Sequence, residues 1–129
     1  MQTTRRILKY MLAGGFVLAG ANHFRDADFY LTIMPPYLPW PLFLVYLSGA
    51  LEILFGALIL IPNYSWLAGW GLIALLIAVF PANLQMALHP ELYPHFSLIL
   101  LWLRLPLQGV FIAWVYWTTL STTARKIAN

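Results

Sequence analysis

The chain has 129 residues, 62% hydrophobic and 9% charged, with a formal net charge of +3 and no cysteine. Soluble domains carry roughly 45–50% apolar and about 25% charged residues, so a water-borne fold of this size could not hide so much apolar surface, and lipid must be part of its solvent. The small, scattered positive charge leaves no footprint for nucleic acid, and the lack of cysteine removes disulfides, thiol relays, Fe–S ligation and c-type haem attachment, so redox work would need a borrowed cofactor.

In chain order the predicted elements are four apolar segments, at about residues 7–24, 41–61, 66–88 and 96–117. Each approaches the roughly 20 residues that span a hydrocarbon core as helix. Without an alternating pattern a closed barrel is excluded, which leaves an all-α fold: a four-transmembrane-helix bundle in a single membrane domain over residues 1–129. Arg5, Arg6 and Lys9 precede the first segment and Arg125 and Lys126 follow the fourth, so the positive-inside rule places both termini in the cytoplasm. The basic start with Ala19–Gly20–Ala21 also fits a secretory signal and a partial twin-arginine pattern, yet the segment is expected to be kept as a span.

The first connection, RDADFYLTIMPPYLPWP, is a Pro/aromatic-rich outer loop that cannot stay helical past Met34, because Pro35–Pro36 removes donors and forces extended backbone. It is expected to lie at the outer surface with Phe29, Tyr30, Tyr37 and Trp40 in the headgroup belt, as a connector or as a lid over a site. The tight second connection, Pro62–Ser65, is uncharged and should face the cytoplasm. In the third, His89, Glu91 and His95 lack the helical spacing of metal ligands, and no metal or haem site is expected.

The second segment contains LSGALEILFGALI, with Glu52 in the middle of a spanning run. Ser48, Glu52 and Gly56 recur at i, i+4 and i+8 with Gly49 alongside, the small-residue signature of a face packed on another helix. Counting at 1.5 Å per residue puts Glu52 about halfway through its span, Arg104 about a third of the way in from the outer face, Asn83 in the outer third and His23 at the outer end. An unpaired charge at the bilayer centre costs about 2.5–3.5 kcal/mol on insertion scales, so Glu52 and Arg104 are expected to approach each other, with a protonated Glu52 as the fallback. Arg104 and Gln108 are i, i+4 neighbours around Pro106, which frees the carbonyl of Trp102; Pro81 frees that of Ile77 close to Asn83. Freed carbonyls and amide side chains can satisfy one another or hold a polar ligand group. Helix-to-helix glue is the plainer role for Asn83 and Gln108, and a structural role the plainer one for His23.

GANHF, PPYLPWP, YLSGALEILFGALILIP, VFPAN and LRLPLQ, taken in order, resemble the DoxX family of small four-helix membrane proteins over about residues 10–118. The family's polar positions fall on His23, Glu52, Asn83, Arg104 and Gln108. The resemblance implies a membrane subunit of a quinone-linked oxidoreductase, a membrane partner in redox-defence complexes, or an assembly chaperone. On the first reading quinone is the cofactor, Glu52 and Arg104 are the catalytic pair, and His23, Asn83 and Gln108 bind the head group; a partner subunit must supply the electrons. The alternatives are a non-catalytic assembly or interaction protein that binds a client, and a transporter of protons or a small solute, disfavoured by four short helices without an inverted repeat. The expected location is the cell's inner (plasma) membrane.

Overall fold

The computed structural model describes residues 2–34, 37–94 and 96–120. Pro35, Pro36, His95, Arg125 and Lys126 lie outside them, and with them the double-proline break, one loop histidine and the C-terminal charges used for orientation. Among the described residues all regular structure is helical: α1 (Gln2–Arg25), α2 (Ala27–Ile33), α3 (Pro41–Leu58), α4 (Ser65–Ala78), α5 (Phe80–Leu88), a 3₁₀ turn (Pro90–Leu92) and α6 (Leu98–Val115), which runs on into a π-helical turn (Tyr116–Leu120).

The differences from the sequence expectation have local causes. The second segment leaves α-helix at Leu58 rather than residue 61, where Leu60 and Ile61 bond three residues back, to Ala57 and Leu58, and tighten the chain ahead of Pro62. The third segment is two helices. Pro81 has no N–H for the carbonyl of Ile77, so the helix stops at Val79, whose own carbonyl then takes the N–H groups of Ala82 and Asn83. The outer loop begins with the short helix α2, and left-handed Trp40 (φ 49°) turns the chain into Pro41 at the first position of α3.

Three stretches are long and apolar enough to cross a membrane: Pro41–Leu58, Ser65–Leu88 and Leu98–Leu120. Only 17–22% of each is buried within the molecule, so most of their apolar surface faces outward, an arrangement that suits lipid and not water. The protein is a helical membrane protein. α1 is 24 residues long but is diluted by Arg5, Arg6 and Lys9 near one end and Asn22 and His23 near the other.

α1 and α3 form the most extensive helix pair. α4 and α5 pack on α6, and α3 packs on α4. One core joins Leu12, Phe16, Ile59, Leu72, Val115 and Leu120, at the end where the Arg5 guanidinium lies 5.1 Å from the Trp117 ring centroid. The start of α1 and the end of α6 therefore share one end of the bundle. A second core of Ile33, Met86, Tyr93 and Leu101 lies under α2, toward the opposite end. There the Tyr93 hydroxyl donates to the carbonyl of Thr32 at 2.8 Å, and burial pushes its phenol above the usual range.

Candidate functional site

The two cores leave a cavity of about 410 Å³ between them, walled by α1, α3, α4 and α6. Its polar wall is Glu52 and Arg104; its apolar wall includes Leu12, Phe16, Leu76 and Trp114. On α1 it is bordered by Gly15 and Ala19, and nothing lies within 4 Å of a side chain's first carbon built at Gly15. Rim residues Met11 (58% exposed) and Phe111 (40% exposed) mark the open side, between α1 and α6. In a bilayer that side faces lipid rather than either aqueous surface.

Glu52 does not form the expected ion pair with Arg104. Its Oε2 lies 2.9 Å from Nε2 of His23, with both side chains largely buried. The reason is geometric. Gly49 lies against Cβ of His23, so α1 and α3 come close enough for the histidine to reach the carboxylate one helical turn further along α3. The opposite ring edge is fixed by α3 itself: Nδ1 is 3.0 Å from the carbonyl oxygen of Val45 and 3.1 Å from Oγ of Ser48, whose hydroxyl donates to the same carbonyl. Tyr30 of α2 stacks on the imidazole at 4.0 Å between centroids, and its hydroxyl accepts from Asn22 at 3.0 Å.

Either ring nitrogen of His23 can carry the hydrogen: Nδ1–H would donate to the Val45 carbonyl, and Nε2–H would face the Glu52 carboxylate and leave Nδ1 to accept from the Ser48 hydroxyl. The Nε2–Oε2 approach is off the hydrogen-bond direction, which leaves Oε2 without a well-aligned donor.

Asn83 and Gln108 form a second cluster. The Asn83 amide donates to Oε1 of Gln108 at 2.8 Å, and the Gln108 amide donates to the carbonyl of Leu76, in the last turn of α4. Amides do satisfy a carbonyl at the proline break, although it is Leu76 and not Ile77 that the glutamine caps. Gln108 borders a separate shallow groove with Ile77 and Phe80, and His23, Asn83 and Gln108 do not line the cavity. Gln108→Leu is expected to cost about 1–3 kcal/mol, because it strands the Leu76 carbonyl and Asn83 amide together, whereas Asn83→Ala should cost less. Thermal unfolding in detergent micelles checks the order, and equal losses would contradict it.

Arg104 makes no hydrogen bond or ion pair with the described residues. It is half-buried within electrostatic reach of Tyr30. Ser48, Tyr30 and the Val45 carbonyl are site components that sequence reasoning missed. Ser48 read only as a small packing residue and Tyr30 only as a headgroup aromatic, and no spacing rule ties a loop tyrosine to a histidine seven residues earlier.

Glu91 pairs with His89 at 3.3 Å on the exposed third connection, and among the described residues no three His, Asp or Glu side chains gather as a metal site would require. No curated protein and no solved structure matches the chain. A family model does match residues 12–119, a range that takes in the cavity lining except Met11, the His23–Glu52 pair and the Asn83–Gln108 cluster, and the chain belongs to that family, described as Domain of unknown function (DUF8561).

Proposed function

We propose that the chain is the membrane subunit of a quinone-linked oxidoreductase, similar to DoxX-family proteins, with α1 as a fourth span, both termini in the cytoplasm and the plasma membrane as its location. The carrying observation is a cavity open between α1 and α6 with a carboxylate and a guanidinium in an otherwise apolar wall. A quinone keeps its tail in lipid and needs a donor for its carbonyl oxygens, which Arg104 offers, together with a route for protons, which the His23–Glu52 pair offers. Apolar walls exclude water from the ring, and α6 leaves room for the tail to pass sideways into the bilayer. A partner subunit supplies the electrons, since no described group here can carry them.

Solvent extraction of protein purified from its native membranes should release quinone in stoichiometric amount. Titrating the delipidated protein with a short-tailed quinone should change tryptophan emission, through Trp114 in the cavity wall. Absence of extractable quinone together with an unchanged emission would rule this reading out.

A second reading has its own observation. The His23–Glu52 pair ties α1 to α3 at their closest approach, as a purely structural lock would, and this favours a non-catalytic assembly subunit. The two part at Glu52→Gln: an assembly subunit keeps its client yield in proportion to its own stability, while the quinone reading loses turnover in protein that is folded and assembled.

A further inference from the structure

Every side-chain carboxylate of the chain can be accounted for. Asp26, Asp28, Glu52 and Glu91 are the four acids. Glu52 is taken by His23, Glu91 by His89, and Asp26 and Asp28 are exposed at the start of α2 without an ion pair to Arg104. His23 engages Glu52 at the α1–α3 crossing, and the carboxylate makes no ion pair with Arg104. Arg104 is therefore a cation in the cavity wall without an ion pair among the described residues. That charge sits six residues past the start of α6, about 9 Å along the helix from its outer end, where a cation without a counter-ion is costly.

We propose that the cavity binds a membrane-dissolved single-chain amphiphile with a monoanionic carboxylate head, whose counter-ion is Arg104. The head would take the guanidinium's paired N–H groups, a geometry that suits two carboxylate oxygens. The chain would lie along the trough that runs from Arg104 to Trp114, about 15 Å of α6, over the bare backbone of Gly15. One guanidinium matches one carboxylate, whereas a phosphate monoester would bring about two charges to it. The inference rests on the reading of the cavity as open to lipid and not on quinone as its ligand.

The test uses full-length protein in phosphatidylcholine nanodiscs, titrated with spin-labelled stearic acid and, separately, its methyl ester at a pH where the acid is ionised. The acid should be immobilised saturably and the ester should bind at least about tenfold more weakly. Arg104→Gln should reduce the acid to the level of the ester, and Gly15→Leu, which builds into the trough from a site where nothing lies within 4 Å of its first carbon, should abolish both. Equal binding of acid and ester to the unmodified protein overturns the proposal, whatever the variants do, and so does full acid binding by both variants. A parallel quinone titration separates the two readings. Quinone bound with no preference for the acid sinks this proposal and leaves the quinone-linked function standing. The acid bound with quinone excluded supports this proposal and removes that function.

Discussion

His23→Ala is expected to cost about 3 kcal/mol of unfolding free energy, more than Glu52→Ala, and Glu52→Gln is expected to cost less than either. The asymmetry follows from what each change leaves behind. Removing the histidine strands a carboxylate, 15% exposed, in the middle of a spanning helix, and the acid must take up a proton or remain charged in an apolar wall. Removing the carboxylate leaves a neutral imidazole that can keep its contact with the Val45 carbonyl. Glutamine at position 52 can still donate to Nε2, so it retains a contact while giving up the charge. Adding Glu52→Gln to His23→Ala should recover most of the loss, since the stranded group is then neutral. Reversible unfolding in mixed micelles reads the series. A His23→Ala loss below that of Glu52→Ala would show that Glu52 has another partner, and Arg104, in the same cavity, is the candidate among the described residues; a further loss on adding Arg104→Gln would identify it.

That Arg104 was the expected partner shows where reading depth from sequence succeeds and where it fails. Counting residues along each span placed Glu52 and Arg104 at overlapping depth, and both do line one cavity. Depth is a one-dimensional coordinate, however, and pairing also needs azimuth and helix separation. The glycine face of α3 was legible as a packing face, but not which helix it packs on. α1 wins because Gly20 and Gly49 meet backbone to backbone, and that brings His23 within reach of the carboxylate first. A histidine at the end of a helix, next to polar loop residues, carries no signal in sequence that it turns inward.

The helical class and the apolar stretches were legible because lipid makes composition decisive: an unsatisfied backbone has no water to turn to, so long apolar runs become helices. Element ends were less so. Pro81 announced a freed carbonyl, but the break falls two residues earlier at Val79, where the helix end, the proline ring and the amide of Gln108 reach a joint solution. The outer loop shows the same limit. Helix there ends at Ile33 with Met34 as its cap, yet α2 is fixed by burial of Ile33 against Tyr93 and Met86, contacts from residues some 50–60 positions away that local pattern cannot carry.

The closeness of α1 and α3 leads to the second large effect. Gly49→Ala should destabilise the protein by about 1–3 kcal/mol, although alanine is the better helix former. Its new methyl group would stand 2.6 Å from Cβ of His23 and 2.9 Å from the carbonyl oxygen of Gly20. Neither atom is the free end of a flexible side chain, so the two helices must separate. Separation also draws the imidazole away from Val45 and Glu52, and the variant should show a changed histidine ¹⁵N chemical shift as well as lower stability. Gly14→Ala is the matched control. It adds the same methyl group to α1 where nothing lies within 4 Å, and should raise stability by up to about 1 kcal/mol while leaving the histidine signal unchanged. If Gly49→Ala moved stability without moving the histidine signal, the helices would be adjusting elsewhere along their contact. The close crossing would then not be what holds His23 on Glu52.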